Sequence, residues 1–92
     1  MVSRYGQQGA KLLRRRLDDL AAADTLAVMK SLPGNCHELI GNRKGQLAMN
    51  LEGGKRLIFE AADDPVPSKA DGGLDWTQVT AIRILGIEDY HS

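Results

Sequence analysis

The spacing of the apolar residues changes at Pro33-Gly34, and this change limits the possible folds more than any other feature of the sequence. Before it, leucine and alanine recur every three or four residues, which is the period of a helix with one buried face. After it, apolar and polar residues alternate, as they do in a half-buried strand. Proline cannot continue a helix, and glycine adopts the left-handed conformation that often ends one. The sequence therefore predicts helices that are followed by strands.

Two helices are predicted in the first third of the chain. The first runs from Gln7 to about Ala23 and has one apolar and one charged side. The apolar positions are Ala10, Leu13, Leu17, Leu20 and Ala21, and the charged ones are Lys11, Arg14, Arg15, Asp18 and Asp19. Asp24 or Thr25 can cap a second, short helix, whose apolar side is formed by Leu26, Met29 and Leu32.

A β-hairpin and a further strand are predicted after the helices. The alternating residues 47–52 lead to Gly53-Gly54, a pair that suits a tight turn, and residues 57–59 resume the apolar pattern. After a loop over residues 62–77, the segment from Val79 to Ile87 is almost continuously apolar, which is typical of a central strand with both faces buried. The predicted fold class is α+β, with two N-terminal helices packed on a small antiparallel sheet of three to four strands.

The length and composition predict one domain, over residues 1–92, in the cytoplasm. A chain of 92 residues is too short to build a second core. Its hydrophobic share is 42%, and no apolar run approaches the roughly 20 residues that cross a bilayer or forms a leader near the start. Cys36 is the only cysteine, so an internal disulfide and a Cys-x-x-Cys motif are both excluded.

The charges are segregated along the chain although the formal net charge is zero. Residues 1–62 contain 10 basic and 6 acidic side chains, whereas residues 63–92 contain 2 and 6. The local potential is therefore positive over the first part, and local potential matters more than the sum for binding nucleic acid. Charge alone favours a simpler interpretation, which is a solvated basic helix face that is followed by an acidic loop.

The two histidines are the first candidates for catalysis. His37 precedes Glu38, and His91 follows Asp89 after one residue. If both reached one cleft, they could act as general base and general acid, because histidine titrates near neutral pH. The alternative is that both are ordinary residues at strand ends. A metal site that includes Cys36 is disfavoured, since the adjacent Cys36 and His37 cannot easily turn to the same ion.

Basic and aromatic residues near the predicted sheet are candidates for RNA binding. Arg43 and Lys44 lie in a loop before the hairpin, and Lys55 and Arg56 begin its second strand, where they could bind phosphates. Alternatively, these charges keep a sheet edge soluble. Tyr90 could stack on an unpaired base or simply cover the end of the core, and Trp76 is predicted to anchor its loop on the core.

Taken in order, four segments resemble the HigB branch of the RelE/ParE toxin superfamily, which belongs to type II toxin–antitoxin systems. The resemblance runs from about Tyr5 to His91. It rests on Cys36-His37-Glu38-Leu39-x-Gly41-Asn42-Arg43-Lys44-Gly45-Gln46, Arg56-Leu57-Ile58-Phe59-Glu60, Asp71-Gly72-Gly73-Leu74-Asp75-Trp76 and Ile87-Glu88-Asp89-Tyr90-His91.

The resemblance implies a RelE/ParE-like toxin that inhibits translation as a metal-independent endoribonuclease without a cofactor. Such a toxin cleaves messenger RNA, often on the ribosome, is neutralised by a helix-turn-helix antitoxin of the HigA kind, and meets operator DNA only through that antitoxin. The residues that match the family's active site are His37, Arg56, Asp89, Tyr90 and His91, and those expected to bind RNA are Arg43, Lys44 and Lys55.

Within this resemblance each residue has an expected role. His91 would be the general base, and His37 would be the general acid or a phosphate ligand. Arg56 and Lys44 would stabilise the phosphate. Tyr90 would stack on a base, and Asp89 would orient a neighbouring group.

The chain also departs from the family's usual pattern. Ile40 stands where relatives commonly have a lysine that meets the phosphate, and the chain is neutral whereas ribosome-directed toxins tend to be basic. These departures leave two alternatives open. One is a non-catalytic ParE-like module that binds its antitoxin or DNA gyrase, and the other is a degenerate toxin that is kept as a co-repressor.

Overall fold

The computed structural model describes residues 6–43 and 45–89. Helix α1 spans Gly6–Ala22, and a 3₁₀ helix follows over Leu26–Ser31. Four antiparallel strands are arranged in the order β1-β2-β3-β4, with β1 at His37–Glu38, β2 at Gln46–Asn50, β3 at Lys55–Ala61 and β4 at Ile82–Asp89. The predicted α+β class and antiparallel sheet are confirmed. Neither helix is long and apolar enough to cross a membrane.

The second predicted helix is present, but it is a 3₁₀ helix and its start is not held by a side-chain cap. Thr25 occupies the capping position without making a capping hydrogen bond. The first backbone N–H groups bond instead to the loop before β4, from Leu26 to the Val79 carbonyl at 3.0 Å and from Ala27 to the Trp76 carbonyl at 3.1 Å. Tertiary hydrogen bonds therefore replace the cap that the sequence predicted.

The predicted hairpin forms between β2 and β3. Gly53 and Gly54 both have positive φ values, of 69° and 79°, which glycine adopts without a steric penalty. The Leu51 N–H donates to the Lys55 carbonyl at 2.8 Å, and Asn50 then pairs with Arg56 as the first facing residues of the hairpin. The glycine pair thus sets the register of the two strands, as expected.

The prediction that the last strand is central was wrong. Within residues 6–43 and 45–89, β4 pairs only with β3 and lies at the edge of the sheet. The register shifts between Ile58 and Phe59, so that Gly86 and Ile84 face them and Leu85 is left between. Ile84 and Leu85 are each 44% exposed. The continuous apolar run therefore belongs to an edge strand with a bulge, whereas β2 and β3 are the strands with neighbours on both sides.

The hydrophobic core lies between one face of the sheet and the two helices. Leu47, Met49, Leu57 and Phe59 form the core face of the sheet, and each is at most 1% exposed. The residues packed against this face come from α1, the 3₁₀ helix and the loop before β4, namely Leu13, Leu20, Leu26, Met29, Leu74, Trp76 and Val79. Trp76 therefore anchors its loop on the core, as the sequence predicted.

Asp63 fastens the two ends of the long loop between β3 and β4. Its carboxylate accepts hydrogen bonds from the Thr80 hydroxyl at 2.7 Å, the Thr80 N–H at 3.0 Å and the Ala81 N–H at 3.1 Å. These bonds, led by the one from the Thr80 hydroxyl, lower the pKa of Asp63 from its ordinary value of 3.8. The charged carboxylate is thus the form that holds the loop.

Replacing Asp63 with asparagine should lower the melting temperature in a way that depends on pH. Because the folded pKa is depressed, the carboxylate's contribution is present above the ordinary pKa of 3.8 and is lost as the pH falls through the folded value. The difference between wild type and Asp63→Asn should therefore be clear at pH 7 and shrink in acid. The exposed Asp18 provides the control substitution, Asp18→Asn. Thermal melts of all three proteins from pH 7 to pH 2 would test this, and a constant difference would contradict it.

Candidate functional site

The face of the sheet opposite the core contains several predicted site residues. Facing residues on neighbouring strands point to the same side of a sheet. The register therefore puts His37, Ala48, Ile58 and Gly86 in one row, and Asn50, Arg56 and Glu88 in another, two residues further along. We call this the outer face, since the two helices pack on the core face.

Arg43 lies across the outer face. Its Nε and Nη2 atoms donate to the Gln46 side-chain oxygen at 3.1 and 2.8 Å, while Nη1 and Nη2 donate to the two Glu88 carboxylate oxygens at 2.5 and 2.6 Å. Gln46 is on β2 and Glu88 is on β4, so the guanidinium bridges these strands above Ile58 of β3. Ile58 is only 1% exposed. Arg43 therefore ties the loop before β2 to the last strand.

Arg56 belongs to the same cluster because its Cα partner on β4 is Glu88. The outer face thus carries two arginines, Arg43 and Arg56, around one carboxylate at the end of β4. The side chains of Arg43 and Glu88 are 32% and 43% exposed, so the cluster is open to solvent. We call Arg43, Arg56 and Glu88 the arginine cluster.

Lys55 and Asp89 lie at the same end of the strands but on the other face. They are Cα partners one row beyond Arg56 and Glu88. Since successive side chains in a strand alternate between faces, both point away from the arginine cluster. The structure therefore separates these two predicted site residues from Arg43 and Arg56. Lys44, Tyr90 and His91, the other predicted site residues, lie outside the described ranges.

His37 is also on the outer face, but it lies on β1, which is the edge strand on the opposite side of the sheet from β4. It faces Ala48 on β2. Arg56 lies on β3, which is two strands across from β1, and is displaced from His37 by two residues along the strand direction. With strands about 4.8 Å apart and a rise of about 3.4 Å per residue, the Cα atoms of His37 and Arg56 are about 12 Å apart. His37 therefore shares the outer face with the arginine cluster but does not adjoin it.

The tautomer of His37 follows from its hydrogen bond. Its Nδ1 atom lies 2.7 Å from the Asn35 carbonyl oxygen, and a carbonyl can only accept, so Nδ1 carries a proton. This leaves Nε2 as the ring nitrogen that can contact a ligand. Asn35 has a positive φ of 51°, and the preceding Gly34 has one of 118°. The helix-ending turn that the sequence predicted is thus also the segment that orients His37.

Glu38 has a structural role. Its carboxylate accepts a hydrogen bond from the Trp76 indole N–H at 2.9 Å and one from the Leu74 N–H at 3.4 Å. These contacts hold the loop before β4 against β1. Although Glu38 follows His37 in the sequence, it points to the core face and fastens Trp76.

Cys36 is not suited to nucleophilic chemistry or to metal binding. Burial raises the pKa of its thiol to about 12, so the thiol is protonated at neutral pH. Its side chain packs against the core. In the described ranges, no three side chains of His, Cys, Asp or Glu lie close enough together to hold a metal ion.

Gln46 and Glu88 were not predicted as partners of Arg43. Both residues stand inside the segments that carry the family resemblance, and that position was the only sign of a role. The pairing itself joins residues 45 positions apart and depends on the register of β2, β3 and β4.

No family model matches the chain, and no curated protein or solved structure matches it either. The likeness to the HigB branch therefore stays a prediction from the sequence motifs.

Proposed function

We propose that the chain is a HigB-like toxin with a RelE/ParE-like fold, which cleaves messenger RNA on the ribosome without a metal ion. The observation that supports this proposal is the arginine cluster on the outer face, at the end of the strand that leads to Tyr90 and His91. Arginine binds phosphate through two parallel N–H groups. Because Arg43 donates four hydrogen bonds to Gln46 and Glu88, it adds positive charge beside the phosphate in this proposal, while Arg56 makes the direct contact.

The proposed reaction is a transfer of the phosphate within the RNA strand. His91 removes the proton of the 2′-hydroxyl, whose oxygen attacks the adjacent phosphorus. The bond from phosphorus to the 5′-oxygen breaks, and that oxygen takes a proton from Nε2 of a doubly protonated His37 or from water. Arg56 stabilises the additional negative charge on the phosphate oxygens. The products are a 2′,3′-cyclic phosphate and a 5′-hydroxyl end.

In this proposal Glu88 is a positioning residue, since it holds Arg43 over the outer face without touching the substrate. The Glu88→Gln variant should retain the fold and lose about 1 kcal/mol of unfolding free energy, because the ion pair is partly exposed. RNA cleavage should fall more than this small loss of stability explains. Urea unfolding and initial cleavage rates would be measured on the same preparation.

Glu60→Gln is the matched control for Glu88→Gln. Glu60 also pairs with an arginine across β3 and β4, since Arg83 Nη1 donates to its carboxylate at 2.5 Å. This pair lies at the other end of the two strands. Glu60→Gln should therefore cost similar stability but leave the cleavage rate unchanged. Equal loss of cleavage in both variants would refute a specific role for Glu88.

The proposed partners are messenger RNA, the ribosome and a HigA-like helix-turn-helix antitoxin, which alone would contact operator DNA. Induced expression of the chain, with and without the antitoxin encoded beside it, would test this in cells. Total translation should stop and messenger RNA should fragment, and the antitoxin should prevent both effects. Growth arrest with intact messenger RNA would contradict the proposal.

Ile40 favours a second candidate, a non-catalytic ParE-like module. Its side chain is 87% exposed beside the loop that carries Arg43, which suits an apolar contact with a protein more than a contact with phosphate. Under this alternative, growth arrest would survive the loss of both His37 and His91. Inhibition of DNA supercoiling by the purified chain would then identify gyrase as the target.

A further inference from the structure

A groove lies beside His37, between β1 and the 3₁₀ helix, and none of the predicted roles uses it. It has a volume of about 340 Å³. Its lining residues are Met29, Lys30, Leu32, Asn35, Cys36, His37, Glu38 and Trp76. A volume of this size falls at the lower end of the range for small-molecule sites.

The floor of the groove is apolar and uncharged. Met29 is 1% exposed, and Met29, Leu32 and Cys36 all belong to or pack against the hydrophobic core. Because burial raises the pKa of Cys36 to about 12, its thiol adds no charge to this surface. A flat, neutral ring would displace water from the floor at little electrostatic cost.

The rim of the groove is polar and has a defined distribution of charge. The Lys30 ammonium lies 4.8 Å from the centre of the Trp76 ring, a distance typical of a cation–π contact. His37 Nδ1 is held by the Asn35 carbonyl, which leaves Nε2 for a ligand. The one acidic group on the rim, Glu38, has both carboxylate oxygens in hydrogen bonds with the Trp76 and Leu74 N–H groups.

We propose that this groove binds one nucleotide of single-stranded RNA, with the base on the apolar floor and a phosphate at Lys30. The inference rests on the proposed function, because His37 joins the groove to the outer face and would lie between the bound nucleotide and the site of cleavage. The Asn35 side chain on the rim provides both a donor and an acceptor for the edge of a base. The Lys30 ammonium provides a partner for a phosphate, which an uncharged apolar peptide lacks.

Trp76 makes the proposal directly testable, since it is the only tryptophan in the chain and lines the groove. The probe is a single-stranded RNA hexamer with 2′-O-methyl groups at every position, which cannot be cleaved by attack of a 2′-hydroxyl. Titration of the hexamer should change the tryptophan emission in a saturable way. Inorganic phosphate alone should have little effect at the same concentration, because it has no base to occupy the floor.

Lys30→Ala should weaken the binding of the hexamer about tenfold, and Lys30→Arg should restore most of it. Lys69→Ala is the matched control, because Lys69 is an exposed lysine that pairs with Asp71 and does not line the groove. Displacement of a labelled hexamer gives the same affinities without relying on Trp76 emission. An unchanged emission, or an equal loss of affinity in Lys30→Ala and Lys69→Ala, would overturn the proposal.

The two proposals fail in different ways. Cleavage of RNA by a protein whose Trp76 emission does not respond to the hexamer would refute the groove and leave the proposed function intact. A saturable response that depends on Lys30, in a protein that cuts no RNA, would support the groove as a nucleotide site and refute the nuclease proposal.

Discussion

Phe59→Ala should destabilise the protein by about 3–5 kcal/mol, which is the usual loss when a buried phenylalanine is truncated in a core. Phe59 is 0% exposed and lies on β3, which has a neighbouring strand on each side. Since small domains are stabilised by only about 5–15 kcal/mol, much of the variant would be unfolded in mild denaturant. Urea unfolding followed by circular dichroism would measure the change.

Ile84→Ala is the matched control for the truncation of Phe59. Ile84 is the residue that faces Phe59 across the β3–β4 ladder, but it is 44% exposed at the sheet edge. Its truncation should cost less than about 1.5 kcal/mol, because much of the removed surface is already in contact with water. Similar losses for the two variants would show that β4 is not the edge strand and that the core lies elsewhere.

His91→Ala should slow RNA cleavage by about 10²- to 10⁴-fold, the range expected when a general base is removed. His37→Ala should also reduce the rate, because His37 Nε2 is the proposed proton donor, whereas its Nδ1 is committed to the Asn35 carbonyl. The His37→Ala variant should keep the wild-type melting temperature to within a few degrees, because His37 does not belong to the core cluster of the described residues.

The control for the histidine variants is the exposed Lys69→Ala, which removes a charge in the loop between β3 and β4. It should cleave RNA at the wild-type rate. Initial rates on one messenger RNA, at matched protein and ribosome concentrations, provide the comparison. If His91→Ala cleaved as fast as wild type, His91 could not be the base.

Much of the fold was predictable because it depends on local patterns. The helical period of residues 7–23, the turn at Pro33-Gly34 and the Gly53-Gly54 hairpin each have a physical cause within a few residues. The anchoring of Trp76 was also predictable, because a lone tryptophan in a polar loop usually packs on a core.

The errors came from interactions between distant segments. The continuous apolar run of the last strand concealed the bulge at Leu85, and no local pattern showed that the strand lies at an edge. The start of the 3₁₀ helix depends on the carbonyls of Trp76 and Val79, about 50 residues away. These features follow from the register and tertiary packing, which a single sequence does not reveal.

The arrangement of the predicted site residues could not be derived from the sequence. Arg43 and Arg56 share the outer face with His37. Lys55 and Asp89 point to the other face, because alternation along β3 and β4 separates them from Arg56 and Glu88. Side chains alternate between the two faces along a strand, so the faces can be assigned once the register is known. The sequence did not reveal the register.

The most direct test of the proposed function is the chemistry of the RNA ends. Purified chain would be incubated with ribosomes translating a defined messenger RNA, in the magnesium that ribosomes need, and with free single-stranded RNA in EDTA. We expect cleavage on ribosomes that leaves 2′,3′-cyclic phosphate and 5′-hydroxyl ends and is lost in His91→Ala. Any cleavage of free RNA in EDTA should leave the same ends. Intact messenger RNA, or 5′-phosphate ends, would contradict the proposed function.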